Sequence, residues 1–197
     1  MISQLPPEAL ALETDRLKLR PFTENDIDIA IEVLTDAETM KYVTGEPLTE
    51  DQVAAEMHLV TRRGAGGRLG IWCAELKETG EKIGDGVLTP IPVELDDTDW
   101  MSLVPDAYPP DQIEVGYLLK RSAWGQGYAT EICKRLLRFA FEQTKLDVVV
   151  ACTDPENAAS QHVLRKSGMY HYGMGRAYRE EVSWFELPRS DWMASKA

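Results

Sequence analysis

No run of about 18 apolar residues occurs anywhere in this chain, so no membrane-spanning helix is expected. The stretch from Met1 to Leu12 lacks the basic and apolar halves of a secretory leader and reads as a short lead-in arm. Cysteine is scarce: Cys73, Cys133 and Cys152 are an odd number without C-x-x-C spacing, which argues against a disulfide framework or a zinc site. Cys133 and Cys152 fall in apolar runs and read as small buried hydrophobes. His58, His162 and His171 show no ligand spacing either, so no metal is assigned. Positive charge is in deficit, with 21 Lys and Arg against 33 Asp and Glu, a net charge of −12. That disfavours a nucleic-acid partner, which needs a basic face. It is compatible with a cationic substrate, and it equally serves plain solubility. A cytoplasmic protein without membrane or nucleic-acid partners is expected, as a monomer or homodimer.

What is present is enough for one well-buried core, so one domain over 1–197 is expected, with its core at about 12–187. Arg16 to Pro21 alternates apolar and basic residues, a half-exposed strand. Thr23 with Asp26, and Thr49 with Gln52, are helix-start signatures, each followed by apolar residues at helical spacing. Leu69 to Leu76 and Ile83 to Thr89 read as strands, and so does Ile113 to Leu119. Gly127 to Gln143 has the clearest amphipathic stripe, with Ile132, Cys133, Leu136, Leu137 and Ala140 on one face. Leu146 to Cys152 is a near-continuous apolar run, as a buried central strand requires. Strand, helix and strand at this spacing form a βαβ unit with parallel strands. Asp154-Pro155 predicts a helix start, with Asp154 as N-cap and Gly168 closing the helix. Met169 to Gly175 and Tyr178 to Leu187 form a closing hairpin. Between strands, about residues 90–112 hold five prolines and an acidic stretch, a loop long enough to be a flap. Its Trp100, Met101, Leu103 and Tyr108 are apolar enough to pack.

The stretch Trp124-Gly125-Gln126-Gly127-Tyr128-Ala129-Thr130 joins a strand to a helix start. Glycines there let the backbone approach a ligand, and free N–H groups at a helix N-terminus favour phosphate. A second stretch, Asn157-Ala158-Ala159-Ser160 running on to Leu164-Arg165-Lys166-Ser167-Gly168-Met169, follows at a fixed remove. In these two motifs, in this order, the chain resembles the GNAT superfamily of N-acetyltransferases. The first matches that family's Q/R-x-x-G-x-G/A pyrophosphate loop, and the second its N-x-x-S…K-x-G-F segment. The opening L-E-T-D-R-L-K-L-R-P and the E-V-G-Y strand further resemble the RimJ/RimL-like branch.

The resemblance implies an α/β fold with a mixed, mostly antiparallel twisted sheet, helices on both faces, and a splay between the Ile113–Leu119 and Leu146–Cys152 strands. It implies acetyl-CoA as cofactor and a primary amine as acceptor: first a protein or peptide N-terminus, with a small amine such as an amino sugar, polyamine or antibiotic as the alternative. It carries cofactor contacts onto the backbone N–H groups of Leu118 and Leu119, onto Trp124, Gly125, Gln126, Gly127, Tyr128, Ala129 and Thr130, and onto Asn157 and Ser160. Trp124 departs from the family's Gln or Arg, and Met169 from its Phe. Leu164 stands where many members have a tyrosine acid, which points to Ser160 as the acid. An amine must be neutral to attack a thioester, and Glu114 is the first choice of base. Replacing it by Gln is expected to lower turnover most at low pH. Competing readings remain: Glu114 as a strand-edge carboxylate, Ser160 and Asn157 as structural residues, and the whole chain as a non-catalytic acyl-CoA sensor.

Overall fold

The computed structural model describes residues 2–196. The chain opens with a helical turn α1 (Pro7–Leu10) and strands β1 (Leu12–Glu13) and β2 (Leu17–Pro21). Helices α2 (Ile27–Leu34), α3 (Ala37–Met40) and α4 (Glu50–Val60) follow, then strands β3 (Gly70–Leu76) and β4 (Lys82–Pro90). After a strap at 91–112 come β5 (Ile113–Leu119), α5 (Tyr128–Gln143), β6 (Val148–Thr153) and α6 (Ala158–Lys166). The hairpin β7 (Tyr170–Ala177) and β8 (Glu180–Pro188) and a last helix α7 (Arg189–Ala194) complete the fold.

The strands form one sheet in the order β1-β2-β3-β4-β5-β6-β8-β7. Every neighbouring pair is antiparallel except β5 and β6, which α5 connects in parallel as the spacing predicts. Side chains alternate across the strands. Trp72, Ala74, Leu88, Val115 and Val149 point to a large core that takes in Ile132, Cys133, Leu136 and Leu137 of α5 and Leu164 of α6. Ile71, Cys73 and Leu118 point the other way, onto Ile29 and Val33 of α2 and Val53 and Met57 of α4. Gly86 makes the first packing possible: a Cβ there would stand 2.4 Å from Ile132 Cγ2 and 2.8 Å from Leu136 Cδ1.

The two helix-start signatures form as expected. Thr49 N–H donates to Gln52 Oε1 (2.8 Å), and Gln52 N–H returns to Thr49 Oγ1 (3.3 Å). Asp26 accepts from the N–H of Thr23 (2.9 Å), and it does more. Fully buried, it receives both Arg20 Nη atoms at 2.7 Å, and Lys82 Nζ lies 3.0 Å away. This ties β2, β4 and the start of α2 into one ionic knot.

Three expectations need correction. The helix expected at Asp154 starts at Ala158, with Asn157 as its N-cap. The reason is local: Asp154 closes a turn of its own, accepting Glu156 N–H on Oδ1 (2.7 Å) and Asn157 N–H on its carbonyl (3.0 Å). In the strap, Leu103 is buried and Trp100 packs on the core, but Met101 is 61% exposed and Tyr108 37%. Cys152 is only partly buried, at the edge of a small cluster with Ile91, Val150, Ala177 and Val182.

Burial disfavours the charge on Asp26, but hydrogen bonds from Arg20, Lys82 and Thr23 outweigh it and hold the carboxyl well below its usual value of 3.8. A depressed carboxylate stabilises the fold above its unfolded pKa, and that stability is lost as pH falls through about 4 and below. Asp26→Asn is expected to cost about 3 kcal/mol in denaturant unfolding at pH 7, with the difference from wild type shrinking in acid.

Candidate active site

The site begins with a failure of strand pairing. β5 and β6 are in register at one residue pair, Glu114 with Val150, and no further pair is formed among the described residues. On its other edge β5 is fully laddered to β4, from Ile113 opposite Pro90 to Leu119 opposite Gly84. Lys120 N–H donates to Ile83 O and Ile91 N–H to Gln112 O, which fixes the phase of that ladder. By alternation the main-chain groups of Glu114, Gly116 and Leu118 face β4, and those of Tyr117 and Leu119 face the gap. Of the two N–H groups expected to meet a cofactor, that of Leu118 is therefore turned toward Asp85 on β4. Leu119 remains, and Tyr117 joins it. Leu119 O is already occupied, since Trp124 Nε1 donates to it at 2.7 Å. Trp124 thus caps the end of β5.

The glycine turn lies just beyond. Gly125 (φ +72°) and Gly127 (φ +83°) both sit in the left-handed region, where a side chain would be strained. On either side, Trp124 N–H donates to Arg121 O and Glu131 N–H to Gly127 O. The N–H groups from Gly125 to Thr130 find no acceptor among the described residues. They stand at the N-terminus of α5, a 16-residue helix whose dipole favours an anion there.

Across the gap, Asn157 spends its Oδ1 on the N–H of Ser160 (3.0 Å), so its amide nitrogen is what remains for a ligand carbonyl. Ser160 Oγ lies 3.0 Å from the hydroxyl of Tyr117, which also donates to Ser160 O at 3.2 Å. Burial raises the Tyr117 phenol well above its usual pKa, so it is a neutral partner that orients the serine hydroxyl. Leu164 is buried in the core.

Glu114 is 7% exposed, at the root of the gap. The hydroxyl of Tyr178 donates to its Oε1, and Cys152 Sγ lies 4.0 Å from Oε2. Burial pushes its carboxyl up to about 7; Tyr178 acts against that shift, and the charge of Asp97 in the strap adds to it. A carboxyl with that pKa takes a proton readily at neutral pH, as a general base must. Tyr178 was not singled out from sequence. It and Arg179 form the β7–β8 turn with φ of +53° and +61°, a conformation that a hairpin normally gives to Asn or Gly. Their N–H groups donate to Pro92 O (3.0 Å) and Val93 O (2.9 Å), so the strap holds the turn that holds Glu114. The sequence carries no turn signal there, and Tyr178, expected to open the second strand of the hairpin, lies in the turn before it. Among the described residues no group of three or more His, Cys, Asp and Glu side chains is placed to hold a metal ion.

A splayed parallel pair, an anion-ready helix start and a buried carboxyl at the root of the gap together make the candidate site. The family model for the acetyltransferase (GNAT) domain matches residues 16–170, and the chain belongs to that family. It is by class an acetyl-CoA-dependent N-acetyltransferase. A relative from Aspergillus fumigatus, named FsC-acetyl coenzyme A-N(2)-transacetylase, is 32% identical over 163 residues, 81% of this chain. The chain spans 65% of that relative's length. YkkB of Bacillus subtilis is 28% identical over 177 residues, 89% of this chain and 94% of its own. In fold, an acetyltransferase from Agrobacterium tumefaciens matches at a TM-score of 0.71 and 22% identity, over 95% of this chain and 96% of that one. The aminoglycoside acetyltransferase AAC(6')-Ib with ribostamycin and coenzyme A matches at 0.70 and 18%, over 93% and 99%.

With Glu114 titrating near 7, wild-type kcat/KM falls below that pH by itself. Glu114→Gln should therefore lose most above pH 7, by about a hundredfold, and least in acid, the reverse of the expectation from sequence. Burial pushes Asp85 on β4 to about 7 as well, so disappearance of the titration in Glu114→Gln identifies the group responsible. Tyr178→Phe removes a bond that favours the carboxylate. The midpoint of its kcat/KM profile should move upward from that of wild type; an unmoved midpoint would take Tyr178 out of the base's environment.

Proposed function

We propose that this protein transfers the acetyl group of acetyl-CoA to a primary amine of a small, cationic molecule by direct attack in a ternary complex. Asn157 would hold the amides of the pantetheine arm, and the N–H groups of Tyr117 and Leu119 on the gap side of β5 would hold the thioester carbonyl. The N–H groups from Gly125 to Thr130 would hold the pyrophosphate. Glu114 removes the proton of the ammonium, directly or through a water, and the neutral amine attacks the thioester carbon. Acetyl-CoA would supply the activated acetyl group; as the C–S bond breaks, the proton still on the attacking nitrogen would pass to the departing sulfur by way of the Ser160 hydroxyl. A reaction that consumes acetyl-CoA fits a cytoplasmic location.

The strap carries the choice of acceptor. Its start is tied to the β7–β8 turn, where Arg176 and Arg179 also pair with Glu94 and Asp96. Its end is tied to the β3 side, where Ala65 and Gly66 N–H groups donate to Val104 O and Pro105 O. Between these ties lie Asp97, whose charge reaches Glu114, and Thr98, which is buried. An ordered acidic strap beside the base favours a small cation over a folded protein surface. The relative named for an N(2)-transacetylase and the neighbour with ribostamycin are in keeping with this. A peptide N-terminus, the acceptor suggested by the RimJ/RimL-like motifs, is the second reading. Exposed Val93, Leu95 and Met101 on the strap favour it by offering apolar contacts.

Steady-state assays with acetyl-CoA and a panel of amino sugars, polyamines and N-terminal peptides separate the readings. The best small amine should exceed the best peptide in kcat/KM by about tenfold or more. The opposite order would move the assignment to peptides, and no turnover with tight CoA binding would make the chain a sensor.

A further inference from the structure

Thr14 and Arg16, in the turn between β1 and β2, lie against the first turn of α5. Glu131 is the fourth residue of that helix. Its carboxylate accepts from the hydroxyl of Thr14, from the N–H of Arg16 (2.9 Å) and from Arg16 Nε (2.9 Å), and Nη2 is 2.8 Å from its Oε2. Arg16 Nη1 donates to Gln126 O (3.0 Å), inside the glycine turn. The same guanidinium covers the ring of Tyr128, 4.4 Å from its centroid. Nη2 is 3.5 Å from where a Cβ on Gly127 would stand. One side chain therefore touches the turn on both sides of its second glycine, at Gln126 and at Tyr128.

These contacts address an electrostatic conflict. A carboxylate in the first turn of a helix repels an anion bound at that helix's N-terminus. Burial disfavours the Glu131 charge, yet the bonds from Thr14 and Arg16 hold its carboxyl below the usual value, so it stays ionised at neutral pH. Without Arg16, that charge would face an incoming pyrophosphate uncompensated. The turn would also lose the donor that fixes the Gln126 carbonyl, and with it the direction of the Gly127 N–H in the same peptide.

We infer that Arg16 is a positioning residue for the acyl carrier: it fixes the Gln126–Tyr128 turn and neutralises Glu131, so that the turn accepts a pyrophosphate. This rests on the proposed seat of the pyrophosphate at 125–130.

The test compares coenzyme A with S-acetylpantetheine, which keeps the pantetheine arm and lacks the pyrophosphate, by measuring both dissociation constants. Wild type should bind coenzyme A far more tightly. Arg16→Ala should weaken coenzyme A about tenfold and change S-acetylpantetheine by less than about twofold, and Glu131→Gln added to it should recover part of the loss. If Arg16→Ala does not fold, Arg16→Lys takes its place with a loss of about threefold on coenzyme A alone. An equal loss with both carriers, or none with either, overturns the inference while leaving the pyrophosphate seat intact. Equal affinity of wild type for the two carriers removes the seat itself, and the role of Arg16 with it.

Discussion

A parallel strand pair that holds at one residue and then parts governs this molecule. β5 and β6 meet at Glu114 and Val150 and diverge. Main-chain groups left without a strand partner inside a protein are costly, so the opening needs either a ligand or local substitutes. Trp124 supplies one substitute at Leu119 O, and Tyr117 spans the gap to Ser160. Closing the sheet completely would leave no slot, and opening it further would lose the pair that places Glu114. The base candidate thus sits where the two strands part, and the Tyr178 hydroxyl gives its carboxyl a hydrogen-bond partner there at 7% exposure.

Around that point the acceptor side is assembled from chain segments far apart in sequence. The β7–β8 turn brings Tyr178 to Glu114 in a strained conformation that costs of the order of 1 kcal/mol per residue. The strap's hydrogen bonds to Tyr178 and Arg179 offset that cost, and salt bridges to Arg176 and Arg179 fasten the same corner. The Asp26 knot acts at the opposite end, joining β2 and β4 beneath α2. The charges that matter most are therefore those whose partners cross between elements, while much of the net negative charge of −12 is spread over surface carboxylates.

The fold was largely readable because its signals are local. The stripe on α5, the apolar run of β6 and the glycines at 125 and 127 each specify their own conformation. The splay between Ile113–Leu119 and Leu146–Cys152 was readable only through family resemblance, since no periodicity encodes where two strands part. The direction of the Leu118 N–H was not readable because ladder phase depends on bonds at Lys120 and Ile91, which a single strand's sequence does not contain. Asn157 was placed inside the helix because Asp154-Pro155 is a good helix start, and nothing in the sequence says that Asp154 closes a turn first. Tyr178 escaped notice because its partner is 64 residues away.

Amide hydrogen exchange resolved by residue, with and without coenzyme A, is the most direct measurement of where the cofactor lies. A pantetheine arm in the gap and a pyrophosphate on α5 require new protection at Tyr117, Leu119 and the amides of 125–130. Leu118, already laddered to β4, should change little. Protection confined to other surfaces, with Tyr117, Leu119 and the glycine turn exchanging as before, would contradict a cofactor seated between β5 and β6.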